Sequence, residues 1–208
     1  MLDDFLSKFS EFIQDKQIVI NVGHQIFNRK WLSDPMDKKT GIDKDEFGTN
    51  PEEKDVDKKD KIILRELTKN SKTSLLDISK KVDLSSPQVL YRIKKLKREN
   101  ILKRNTIDID LDKFNRQFAK VFLYLKNIST SRINKLKKFC SRQKDITALS
   151  EVLGPWDIEL EFEVKDFNSL MEVMNMIRKK FPDLIKNFGS VIITRESGRI
   201  HLPKKDFS

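Results

Sequence analysis

Apolar residues recur at helical spacing three times between residues 57 and 99. In DKKDKIILRELTK, residues 57–69, Ile63, Leu64 and Leu67 share one stripe, and Asp57 and Asp60 stand at the start, where the helix dipole favours acids. Residues 74–82 (SLLDISKKV) set Leu75, Ile78 and Val82 at i, i+3 and i+7, with Ser74 as N-cap and Asp77 three residues on. Asp83-Leu84-Ser85 then forms a tight turn. A third helix follows, capped by Ser85 or Ser86, with Pro87 in the first turn where proline is tolerated. It runs to about Glu99 and turns Val89, Ile93 and Leu96 inward. Asn100 closes it in the left-handed region. Residues 101–110 (ILKRNTIDID) alternate around Lys103-Arg104-Asn105, which predicts a hairpin-like basic wing.

The second half changes period. Residues 118–125 (FAKVFLYL) predict a strand that is apolar on both faces, and 131–142 a helix with Ile133, Leu136 and Cys140 on its core side. Residues 146–153 form a strand. In 157–164 (DIELEFEV), Ile158, Leu160, Phe162 and Val164 face one way and Glu159, Glu161 and Glu163 the other. An amphipathic helix spans 167–181 through Phe167, Leu170, Met171, Met174, Ile177 and Phe181, its methionines read as core, and 190–195 is a last strand. The order is βαββαβ. The three glutamates on one face of a strand need an aqueous or basic environment, and the pattern does not supply one.

Composition narrows the classes. The 208 residues are long enough for one or two domains with cores of their own. No apolar run reaches the about 20 residues needed to span a membrane. The opening MLDDFLSKF is acidic where a secretion signal is basic, so a cytoplasmic protein is expected. Cys140 with His24 and His201 gives neither a disulfide nor a metal-ligand cluster, and no GxSxG, HExxH, GxGxxG or GxxxxGK[ST] string occurs, so neither a cofactor nor a catalytic site is expected.

The net charge of +10 is informative only when resolved along the chain. Residues 33–60 hold ten acids against six lysines, with almost no apolar periodicity, and read mostly as a solvated linker. From Lys61 to Arg104, thirteen basic residues oppose four acids, giving +9. Such a concentration is the footprint of phosphate-backbone binding. A solvated helical face is the plain alternative for any charge run. Here two helices joined by a short turn, a cationic second helix and a basic hairpin make a winged helix-turn-helix, whose third helix enters the major groove of double-stranded DNA. Ser86, Gln88 and Tyr91 are the candidate base readers, and Arg92, Lys94, Lys95, Lys97, Arg98 and Arg104 the candidate phosphate contacts.

Val56-Asp57-x-x-Asp60-x-x-Ile63-Leu64-x-x-Leu67, then Leu84-Ser85, Val89-x-x-Arg92-Ile93-x-x-Leu96 and Asn100-Ile101-Leu102, resembles the DNA-binding domain of the Lrp/AsnC transcription regulators over roughly 50 residues. It departs at Asp83 and Asn100, where the family usually has Gly; both tolerate positive φ. The resemblance implies an α+β chain, an N-terminal winged helix-turn-helix joined to a ferredoxin-like βαββαβ sandwich for effector binding and oligomerisation. It also implies a homodimer or higher homo-oligomer and a small effector, commonly an amino acid. Gly154-Pro155-Trp156-Asp157 stands at the family's Gly-x-aromatic-Asp turn, so Gly154, Trp156 and Asp157 are the ligand candidates by resemblance; a plain hairpin turn with Gly at positive φ is the alternative. Sirohaem decarboxylases share the fold family, but their His-Asn-Tyr-type segment is absent. A ligand-sensing oligomerisation protein without gene-specific binding is a third class, and the cationic helix argues against it.

The ends of the chain echo one another. At an offset of 172, Lys8/Lys180, Phe9/Phe181, Ile13/Ile185, Val19/Val191 and Ile20/Ile192 are identical. Residues 1–32 therefore read either as a partial repeat of the final helix and strand or as any amphipathic helix followed by a strand. The expected organisation is this helix-strand segment (1–32), an acidic linker (33–56), the winged helix-turn-helix (57–108) and the βαββαβ domain (109–208).

Overall fold

The computed structural model describes residues 2–32, 54–102, 105 and 107–194. The chain divides into two compact units. One contains Met1–Asn50 with Asp110–Arg195, the other Pro51–Ile109 with Glu196–Ser208. The N-terminal segment thus shares a unit with the sheet and is not a separate body.

In the second unit, α2 (Lys58–Lys69), α3 (Leu75–Val82) and α4 (Ser86–Arg98) pack around Ile63, Leu64, Ile78, Val82, Val89 and Leu96, with Ile93 and Leu84 partly buried against them. The ends are set locally. Asp57 caps α2 by accepting from Asp60 N, and Ser74 caps α3 by accepting from Asp77 N. Asp83 closes α3 at φ 51°, and Asn100 follows α4 at φ 56°. The wing expected around Lys103-Arg104-Asn105 lies largely outside the described residues, since 103, 104 and 106 are not among them; the described residues from Ile101 to Asp110 contain no strand. The amides of Ile101 and Leu102 both donate to Leu96 O, and both side chains pack on the helical core, so the alternation is broken at its start.

The first unit is a five-stranded antiparallel sheet carrying α5 (Thr130–Cys140) and α6 (Phe167–Lys180). Its strands are β1 (Ile20–Ile26), β2 (Gln117–Leu125), β3 (Ile146–Leu153), β4 (Ile158–Val164) and β5 (Ile185–Ile193), in the order β1-β3-β4-β2-β5. The core lies on the helix side, where Val121, Leu123, Leu149, Leu160 and Phe162 meet Leu136, Cys140, Leu170, Met174 and Ile177. The last strand begins five residues before the expected start, because an edge strand with one neighbour accepts the exposed Lys186 and Asn187.

A helix α1 (Leu2–Phe9) and the strand β1 follow the expected order, but not the register of the echo. Residues 13–19, matched to β5 by the offset, precede the strand, and β1 pairs with β3, whereas β5 pairs with β2.

Every glutamate of β4 has a cation. Lys120 on β2 bonds Glu159 Oε1 and lies 3.4 Å from Glu161 Oε1. Burial pulls the Lys120 ammonium down, but these carboxylates outweigh it and hold the group above its ordinary value. Glu163, buried, accepts from Arg29 Nε at 2.8 and 3.0 Å and from Trp31 Nε1 at 2.7 Å. Beside it Arg116 donates to Asp145 Oδ1 at 2.8 Å and to Glu163 O, with its guanidinium 4.4 Å from the Trp31 ring centroid. The N-terminal segment is thereby fastened to the sheet by a buried, fully paired polar cluster.

Candidate nucleic-acid interface and ligand turn

The sequence of α4, SPQVLYRIKKLKR, contains five cations and no acid. Val89 and Leu96 are buried against α2 and α3, which fixes the rotation of the helix about its axis. Tyr91, 65% exposed, and Lys94, Lys97 and Arg98 therefore point to solvent; Lys95 is half-buried. None of Lys94, Lys95, Lys97 and Arg98 has a carboxylate partner among the described residues, whereas Arg29, Arg116, Lys120 and Lys137 on the sheet unit are each paired. Unpaired cations on one face of a helix leave a positive potential that no internal acid cancels.

Two of the predicted residues carry internal duties. Arg92 donates from Nη1 to Asp57 Oδ2 at 2.6 Å and to Asp60 Oδ1 at 2.8 Å, tying α4 to the first turn of α2. Asp60 and Asp57 hold the guanidinium above its ordinary value. Burial alone would raise the Asp57 carboxyl, but the Asp60 amide and Arg92 outweigh it and hold it below the usual range. The arginine is spent on positioning, which sets it apart from the lysines. Gln88 accepts through Oε1 from Ser85 N at 2.8 Å and from Ser85 Oγ at 3.0 Å. Its amide nitrogen is what remains for recognition. Ser86 is half-buried in the first turn, and Arg104 lies outside the described residues. Leu90 was not singled out, because nothing in a charge pattern marks it; it is 39% exposed one turn before Lys94.

The second candidate is the turn between β3 and β4. Asp157 donates from its amide to Leu123 O at 3.0 Å and accepts at its carboxylate from Leu125 N at 2.7 Å, so both groups serve the backbone of β2. Trp156 lies on Phe122 with ring centroids 4.3 Å apart, and its indole Nε1 is buried without a hydrogen-bond partner. Gly154 does not adopt positive φ. It is required by space, since a Cβ there would lie 3.0 Å from Ile18 O and 3.3 Å from Val19 Cα.

Comparison with known proteins agrees with this geometry. Residues 56–103 match the family described as winged helix-turn-helix DNA-binding. The HTH-type transcriptional regulator LysM of Sulfurisphaera tokodaii is 32% identical over 124 residues, 60% of this chain and 86% of the relative. Among solved structures, an AsnC family transcriptional regulator from Agrobacterium tumefaciens superposes with a TM-score of 0.64 at 21% identity, covering 73% of this chain and 98% of that one. A transcriptional regulator from Neisseria meningitidis, solved as an L-Met complex, gives a TM-score of 0.66 at 17% identity, covering 74% and 100%. The capped three-helix unit, the βαββαβ order of the sheet unit and a relative 32% identical over 124 residues converge, and the chain belongs to the Lrp/AsnC family of transcriptional regulators.

Proposed function

We propose that this protein is a sequence-specific, double-stranded DNA-binding transcriptional regulator of the cytoplasm, that it acts as a homodimer or higher homo-oligomer, and that a small ligand such as an amino acid modulates it. The unpaired cationic face of α4 carries this reading. Lys94, Lys95, Lys97 and Arg98 contact phosphates, while Ser86, Tyr91 and the amide nitrogen of Gln88 reach base edges from the first turns. With Oε1 engaged at the cap, Gln88 donates to an acceptor such as guanine O6 or N7 and does not make the bidentate adenine contact. Phe118, Phe122, Tyr124 and Val191, on the sheet face away from the helices, support self-association. No catalytic role is assigned.

The ligand reading rests on the orphan indole N–H of Trp156 and on the Neisseria relative's L-Met complex. Among the described residues no helix is long and apolar enough to cross a membrane.

Salt dependence of DNA binding is the test. Four phosphate contacts on each of two half-sites give a slope of log K against log salt of roughly −7, and each Lys→Ala change, which removes one contact from each half-site, reduces its magnitude by about 1.8. Half-sites selected from random DNA should lie one helical turn apart, 10–10.5 base pairs, or a multiple of it. A slope near zero, unchanged in a variant lacking Lys94, Lys95 and Arg98, would overturn the proposal.

A further inference from the structure

Residues 17–28, QIVINVGHQIFN, form a twelve-residue stretch without charge in a chain that is 36% charged. Its β-branched residues make β1, which pairs antiparallel with β3 from Ile20↔Leu153 to Ile26↔Ala148. Beyond β1, Phe27 enters the core, Lys30 Nζ donates to Ser141 O at the end of α5, and Arg29 and Trp31 hold Glu163. The strand is thus anchored at its far end. Its near end, Ile18–Val19, runs across the turn between β3 and β4.

The contact there is close. A Cβ on Gly154 would lie 3.0 Å from Ile18 O, 3.3 Å from Val19 Cα and 3.4 Å from Val19 Cγ2. Val19 is half-buried, and Ile18 is 63% exposed. Within the turn, Asp157 is spent on the backbone of β2, and the buried side-chain N–H of Trp156 has no hydrogen-bond partner. Recognition at this turn therefore needs an acceptor oxygen for the indole and an apolar group, and the chain's own N-terminal segment adds apolar surface beside it.

We infer that Ile18 and Val19 form a wall of the ligand site at the Gly154–Asp157 turn, so that the site is completed by a segment preceding the DNA-binding domain in the chain. This rests on the reading of that turn as the ligand site. The ligand class is a small molecule with a carboxylate or carbonyl oxygen for Trp156 and an apolar side chain for Ile18 and Val19. Ligand specificity then depends on residues outside the βαββαβ unit.

Full-length protein labelled with 5-fluorotryptophan gives two fluorine resonances, from Trp31 and Trp156, assigned with Trp31→Phe. L-methionine, then L-leucine, L-isoleucine, L-valine and L-phenylalanine, serve as probes in titrations of the Trp156 signal. The double variant Ile18→Ala/Val19→Ala is expected to weaken the effective probe roughly tenfold, with Phe12→Ala, 74% exposed, unchanged as control. A probe that moves the Trp156 signal with the same Kd in the double variant overturns the inference and leaves the site standing. Failure of all five probes, with steep salt-dependent DNA binding retained, overturns the ligand reading and the inference with it. Hydrogen exchange across residues 20–26 reports whether the double variant keeps β1. If it does not, Gly154→Ala, which pushes Ile18–Val19 off the turn while leaving both side chains intact, is judged by the same Kd criterion.

Discussion

Arg92 on α4 donates to the carboxylate of Asp60 on α2 at 2.8 Å, and that side chain is only 3% exposed. An anion buried there depends on its cation. Arg92→Ala leaves the Asp60 carboxylate without charge compensation and is expected to destabilise the helical unit by about 2–3 kcal/mol. Hydrogen exchange of α2 and α4 amides in urea measures this. The salt slope of DNA binding should be unchanged under folding conditions; a slope shallower by about 1.8 for a dimer on two half-sites, with stability intact, would place Arg92 on a phosphate instead.

Trp156→Phe should leave the ligand-free protein as stable or make it more stable, by up to about 1 kcal/mol. The substitution keeps a ring on Phe122 and removes a buried donor that has no partner. Thermal unfolding decides the sign, and a lower melting temperature would mean that the N–H is satisfied in solution.

Glu163→Gln removes the charge to which Arg29 and Trp31 are fastened. The cost falls on the N-terminal segment first. Exchange of the β1 amides is expected to accelerate about 10- to 100-fold, equivalent to about 1.4–2.7 kcal/mol of local opening, while α2–α4 amides stay as they were. Uniform acceleration through the sheet would show that the cluster supports the whole unit.

Acid should loosen the helical unit. Lys81 and Lys69 hold Glu66 below its ordinary value, and Asp57 is held low by the Asp60 amide and Arg92 against the opposing effect of burial. A carboxylate with a depressed folded value is protonated more readily in the unfolded chain. Its contribution is therefore complete at neutral pH and drains away as pH falls through about 4 and below. The urea midpoint of this unit should drop between pH 6 and pH 3, and Glu66→Gln should flatten the drop. Asp57 is half exposed, so its share is screened by salt.

The helical unit was legible because its signals are local. Apolar residues at period 3.6 and caps a few residues away define α2, α3 and α4, and even the left-handed positions of Asp83 and Asn100 follow from residue type. The ion pairs of Arg92 were not legible because its partners lie 32 and 35 residues away on another helix, and a rotation angle alone places it on a flank. The start of the wing was misplaced for a related reason: Ile101 and Leu102 alternate on paper but are claimed by the helix terminus through Leu96 O. Placement of the β4 glutamates needed the register. Lys120 stands directly across from Glu161, and Arg29 and Trp31 reach Glu163 from 134 and 132 residues away. Gly154 looked like a turn glycine, and only the passage of Ile18 over it shows why a side chain there has no room.

The strand β1 is made first and seated late. Its partner β3 lies more than a hundred residues downstream, with His24 reaching Ser150 across 126 positions. At about 5–20 residues per second, the ribosome needs roughly 6–25 s to supply that partner. Throughout that interval the uncharged stretch from Gln17 to Asn28 has no β3 to pair with, while the helical unit, built from local contacts, completes itself. Synthesis of this protein therefore contains a period in which an uncharged, β-branched segment of the kind that aggregates waits for its own sheet, and the acids and lysines between Ser33 and Asp60 flank it with charge until β3 arrives.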